Sequence, residues 1–87
     1  MNPLFSIIKV FLVNHDIYLK YSGVLNLNYI KDSYKDLYKV FKTLLLYKET
    51  HIVGTVAEFS LFHFQNYPAM RPEEVELYIS IFQRIED

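Results

Sequence analysis

The side chains of this sequence that could take part in chemistry are three histidines, a short acidic run and a row of lysines. His15, His51 and His63 lie far apart, with no His-x-x-x-His pair and no carboxylate at helical ligand spacing. The acidic run at 73–76 (Glu-Glu-Val-Glu) looks like paired carboxylates, but its place in the first turn of a helix explains it through the helix dipole. Acid–base catalysis needs carboxylates in buried, unequal surroundings. We therefore expect no metal and no other cofactor.

His63 is the histidine with the most informative surroundings. Helical spacing puts it beside Val56, Phe59 and Ser60 on an apolar arc. Such a residue is either a general acid or base or a core histidine hydrogen-bonded to Ser60 or to a backbone carbonyl. We expect the core histidine.

A nucleotide-binding P-loop is missing from the sequence. That motif is a glycine-rich turn followed by Lys-Ser/Thr, whereas Gly23 and Gly54, the two glycines here, precede valine and threonine. Eighty-seven residues also leave little room for a deep catalytic cleft. We expect this chain not to be an enzyme.

Lysines give the first half of the chain a positive charge. Residues 1–50 carry seven lysines and four acids, and residues 51–87 carry two arginines and six acids. Lys35, Lys39 and Lys42 lie along the back of one helix, so we expect them to be solvated and direct nucleic-acid contact to be weak or absent. The alternative is a small helical regulatory or nucleic-acid-binding protein whose lysines contact phosphates.

Composition predicts a single globular domain over residues 1–87. The sequence is 52% hydrophobic and 17% aromatic, with few glycines and prolines. It has no cysteine, which favours a cytoplasmic setting, and no run of about eighteen apolar residues that would predict a membrane span.

The elements that position these side chains are all predicted to be helices. The central one covers 33–48, with an apolar stripe of Tyr34, Leu37, Tyr38, Phe41, Leu44 and Leu45 and a cap from Asp32 or Ser33. Before it we expect a helix over 3–13, a short second helix ending at a left-handed Gly23, and a helical turn over 27–30 in preference to a strand.

After the central helix, the pattern predicts a loop over 49–54 and two more helices. Thr55 and Glu58 form a capping box for a helix from Val56 to about Gln65, and Pro72 opens the last helix. The expected fold is therefore all-α, a compact bundle of about five to six short helices.

The last two helices are apolar over a wider arc than one-sided packing requires. Either each is sandwiched between two neighbours in the core, or part of the surplus forms a self-association or partner surface. If such a surface exists, we expect it on six residues of the central helix and the last two helices: Leu46, Tyr47, Phe62, Phe64, Leu77 and Ile81.

Four segments carry a family likeness. They are Ile7-Ile8-x-x-x-Leu12-x-Asn14-x-Asp16, the segment 25–30, Leu37-Tyr38-Lys-Val40-Phe41 in the central helix, and Thr55-Val56-Ala57-Glu58 at a helix cap. In this order and spacing, residues 7–60 resemble the N-terminal domain of hexameric replicative DNA helicases of the DnaB type, nearer to the bacteriophage branch.

The resemblance implies a non-catalytic helical scaffold in a bacterial or phage-infected cell. Such a domain self-associates into a collar on the helicase ring and docks primase or a helicase loader. ATP-dependent unwinding resides in a separate motor domain of that family.

Overall fold

The computed structural model describes residues 2–87, which form six α-helices and one 3-10 turn and contain no strand. The all-α prediction is therefore confirmed. In chain order the elements are α1 (Pro3–Val13), α2 (His15–Tyr21), the 3-10 turn (Ser22–Val24), α3 (Leu27–Ser33), α4 (Lys35–Thr50), α5 (Val56–Asn66) and α6 (Pro72–Glu86).

Polar side chains cap the N-termini of four of these helices. Asn2, Asn14 and Asn26 each accept a hydrogen bond from a backbone N–H in the first turn of α1, α2 and α3. At α5, Thr55 Oγ1 accepts from the Glu58 N–H at 3.1 Å, and Glu58 Oε1 accepts from the Thr55 N–H at 3.4 Å. The predicted capping box is therefore confirmed.

Two predicted helix ends are wrong. Asp32 and Ser33 do not cap α4, because α3 extends to Ser33 and Tyr34 becomes the cap residue without a side-chain hydrogen bond. Gly23 does not end α2 in the left-handed region, because the chain tightens into the 3-10 turn and neither glycine of the chain has a positive φ.

The core is built around α4, which contacts α1, α3 and α5, while α1 also packs against α6. Phe41 and Leu44 of α4 are fully buried, as are Leu12 of α1 and Phe59 of α5. Because α4 has neighbours on several sides, its buried arc extends to Val40 and Tyr47, beyond the predicted stripe. Tyr34, at the start of that stripe, is 38% exposed and outside the core.

No helix within residues 2–87 is both long enough and apolar enough to cross a membrane.

Candidate protein-interaction surface

A groove of about 650 Å³ opens at the N-terminal end of α4, between α1 and α6. Leu37 and Ile81, both buried, form its base, and the half-buried Phe5 of α1 forms one wall. Leu77 borders the groove with 41% of its surface exposed. The groove therefore presents apolar side chains of α1 and α6 to solvent above a buried apolar base.

Charges of both signs surround this apolar base. Lys35 and Arg84 lie at the groove with Asp36 and Asp87, and all four are exposed. An apolar centre inside a polar rim is the usual composition of a protein–protein contact surface. We call this feature the α1–α4–α6 groove.

A second apolar surface lies at the other end of α4, in the loop 51–54. Ile52 is 67% exposed and Val53 is 58% exposed, although both are aliphatic. Hydrogen bonds hold the loop backbone: the Gly54 N–H donates to the Leu12 carbonyl oxygen at 3.2 Å, and the Lys48 ammonium donates to the Ile52 carbonyl oxygen. We call Ile52 and Val53 the loop pair.

Aromatic packing beneath the loop adds to its rigidity. The His51 ring stacks on the Tyr47 ring with centroids 4.1 Å apart and planes 3° apart. Tyr47 is only 2% exposed, and Phe62 packs edge-on against it at 5.2 Å. Gly54 lies so close to Tyr47 that a Cβ atom there would be 2.1 Å from the phenol oxygen. The loop pair is thus displayed on a fixed backbone.

The six residues predicted for an interaction surface do not come together in one patch. Ile81 and Leu77 lie at the α1–α4–α6 groove, Phe64 lines a separate cleft between α5 and α6, and Leu46 is exposed on the outer side of α4. Tyr47 and Ile81 are 2% and 6% exposed, so their side chains belong to the core beneath these surfaces. Tyr47 lies outside the predicted stripe of α4, and its assignment to a surface is wrong because α4 is buried over a wider arc.

The residues predicted for an interaction surface include neither Phe5 nor the loop pair. Two consecutive β-branched aliphatic residues in a predicted loop were a usable signal, because a loop has no core face in which to bury them. Phe5 gave no comparable signal, because it lies in a helix whose other apolar residues suffice to form one core-facing stripe.

His63 is a core histidine, as predicted, with no exposed surface. Its Nδ1 lies 2.9 Å from Thr43 Oγ1, and that hydroxyl also lies 2.9 Å from the Lys39 carbonyl oxygen. The expected partner, Ser60 or a backbone carbonyl, is wrong: the partner is the Thr43 hydroxyl, and the Ser60 hydroxyl donates to the Ala57 carbonyl oxygen of its own helix. Burial, with a smaller effect of Lys39, lowers the pKa of His63 to about 4. The ring is therefore neutral at physiological pH.

Other ionisable side chains do not converge. In the part of the chain that the structure describes, no three histidine or carboxylate side chains are placed to hold a metal ion. The pKa of Lys48 is lowered by burial, and its ammonium serves the loop carbonyl described above.

Neither a protein-family model nor a curated protein nor a solved structure matches this chain. Its function is therefore inferred from its own residues and surfaces.

Proposed function

We propose that this chain is a non-catalytic interaction module that holds two partners at once, in the manner of the N-terminal domain of a DnaB-type replicative helicase. The observation that carries the proposal is the presence of two separate apolar surfaces, the α1–α4–α6 groove and the loop pair, at opposite ends of α4.

The separation follows from the length of α4. Sixteen residues at 1.5 Å each make a helix about 24 Å long. The groove lies around Leu37 near its first turn, and the loop pair follows its last residue, Thr50. A partner seated in the groove therefore leaves the loop pair free, which is the requirement for bridging.

The exposed side chains are large enough to serve as anchors. Burying an aliphatic side chain stabilises an association by about 1.5–3 kcal/mol. The loop pair and Leu77 are already held by ordered backbone, so little conformational entropy is lost when they bind. Tethering by one surface then raises the effective concentration of the second partner.

The family resemblance supports a particular use of the two surfaces. In the N-terminal domain of such a helicase, one of the two apolar surfaces would join neighbouring copies in the collar, and the other surface would dock primase or a loader. This assignment predicts that the reading frame continues past Asp87 into a helical hairpin and a domain with a Gly-x-x-x-x-Gly-Lys-Ser/Thr motif.

The bridging proposal is tested with two surface variants and a control. The loop variant is Ile52→Ser with Val53→Ser, the groove variant is Leu77→Ser, and the control is Leu19→Ser, a residue 64% exposed on α2. Analytical ultracentrifugation measures self-association, and titration with primase and with loader from the same replication system measures docking.

We expect one variant to weaken self-association and the other to weaken docking, with thermal stability unchanged in both. The control should behave like the unmodified chain. Equal self-association and docking in all four proteins would refute the proposal. Loss of both activities in a single variant would refute bridging through two separate surfaces.

A further inference from the structure

The outer side of α3 and α4 carries a row of four exposed lysines: Lys31, Lys35, Lys39 and Lys42. The three on α4 follow one another at intervals of four and three residues, so they share the side of the helix opposite its buried arc. The distance along the helix axis from Lys35 to Lys42 is about 10 Å.

Carboxylates do not neutralise this row. Within residues 2–87 the one ion pair within 4 Å joins Arg71 to Glu74. The lysine ammonium groups lie instead over tyrosine rings: Lys31 and Lys42 over Tyr38 at 5.9 and 5.5 Å, and Lys39 over Tyr67 at 5.5 Å. A cation–π contact positions an ammonium group without cancelling its charge.

Asp36 and Glu74 lie near the row, but neither forms an ion pair with one of its lysines. Burial, with a smaller effect of Asp36, raises the pKa of the Tyr78 phenol on α6 to about 12. Glu74 is within electrostatic range of Lys39, but its stronger interactions are with Arg71, which lowers the pKa of Glu74. The row therefore remains a positive surface suited to a polyanion.

Two exposed aromatic rings lie at the N-terminal end of α4, where Tyr34 directly precedes Lys35 and is four residues before Tyr38, the ring that Lys31 and Lys42 contact. Tyr29 is 56% exposed and Tyr34 is 38% exposed, and their rings meet edge to face at 6.1 Å. Sites for single-stranded nucleic acid combine such rings, on which bases stack, with lysines that follow the phosphate backbone. An acidic polypeptide would use the lysines and has no bases to stack on the rings.

We propose that this lysine–tyrosine face of α3 and α4 binds single-stranded nucleic acid. Its 10 Å row of lysines matches about three phosphates of a stacked strand at 3.4 Å each. The proposal goes beyond the bridging function: the face shares Tyr34 and Lys35 with the rim of the α1–α4–α6 groove but contains neither Leu77 nor the loop pair.

Fluorescence anisotropy with labelled oligothymidylate tests the site. Three to four phosphate contacts at a slope of about −0.7 each predict that raising salt from 50 to 200 mM weakens binding roughly 20- to 50-fold. The variant Lys31→Gln, Lys39→Gln, Lys42→Gln, whose residues all lie outside the α1–α4–α6 groove, should lose most binding at low salt. Lys20→Gln is the matched control, because its ammonium also lies over a tyrosine ring, Tyr21 at 5.4 Å, but on α2.

The stacking contribution is measured separately. Tyr29→Ser should weaken oligothymidylate binding at least about fivefold and leave the salt slope unchanged. The proposal is overturned by no binding at 50 mM salt, by equal loss in the Lys20→Gln control, or by a duplex hairpin binding as tightly as the single strand. Displacement of the oligonucleotide by polyglutamate at equal affinity would assign the face to acidic polypeptides. The self-association and docking variants retain all four lysines, so failure of either proposal is distinguishable from failure of the other.

Discussion

Replacing Gly54 by alanine should destabilise the whole domain, because the methyl group would enter space occupied by Tyr47. The added Cβ would lie 2.1 Å from the phenol oxygen and 2.9 Å from two ring carbons, against 3.4–4 Å for ordinary contact. Tyr47 has nowhere to move, since His51, Phe59 and Phe62 surround its ring at 4.1, 5.5 and 5.2 Å. The backbone of the loop must therefore shift.

The cost has two sources. Overpacking of this kind costs about 1–3 kcal/mol, and displacement of the Gly54 N–H from the Leu12 carbonyl oxygen costs about 1 kcal/mol more. For a domain of this size, a loss of about 2–4 kcal/mol lowers Tm by roughly 10–30 °C. Thermal unfolding followed by circular dichroism measures the change.

The second glycine of the chain provides the control. A Cβ at Gly23 meets nothing within 4 Å, so Gly23→Ala should be neutral or slightly stabilising. Tyr47→Phe removes the closest atom, the phenol oxygen. The double variant Gly54→Ala, Tyr47→Phe should therefore lose less stability than the two single variants lose together. A Gly54→Ala protein as stable as Gly23→Ala would refute the reasoning.

Three further substitutions test the cap of α5, the buried His63 and the hydrogen bonds of the loop 51–54. Thr55→Ala removes the capping box of α5 and should cost about 1 kcal/mol, or a Tm about 4–8 °C lower by circular dichroism, whereas Ser80→Ala away from any cap should not. The pKa of His63 is near 6.5 in the unfolded state and about 4 in the folded state, so the unfolded state holds more protons between these values. The free energy of unfolding therefore decreases as the pH drops from 6.5 towards 4. The free energy of unfolding, measured with urea, should be about 2 kcal/mol lower at pH 5 than at pH 7.5. The same pH dependence in His63→Leu would assign the loss to other groups. Lys48→Met keeps the buried stem but removes the ammonium that holds the Ile52 carbonyl, so amide hydrogen exchange at Gly54 should quicken; unchanged exchange would show that the Leu12 hydrogen bond holds the loop alone.

The helices could be predicted because their signals are local. Asn2 before Pro3, Thr55 three residues before Glu58 and Pro72 before two glutamates each start a helix where the sequence places it. The helical turn predicted over 27–30, where a lone strand would have no partner, is confirmed and continues to Ser33.

The candidate surfaces could not be predicted in the same way, because exposure depends on which helices meet. A wide apolar arc on α6 is equally compatible with two buried faces and with one exposed face. Contact of α1 with α6 buries Ile81 only when both helices are in place, while Leu77, one turn away, stays 41% exposed. The cation–π contacts of Lys39 with Tyr67 likewise join residues far apart in the chain.

The pairing of α1 with α6 also sets an order for folding. Ile8 and Leu12, fully buried in the finished domain, belong to the first helix made, and α6 begins only at Pro72. At about 5–20 residues per second, a ribosome needs roughly 3–12 seconds to add the chain between them. During synthesis α2 and α4 can cover their parts of the first helix, but the side of α1 that packs against α6 stays uncovered until the last helix is made.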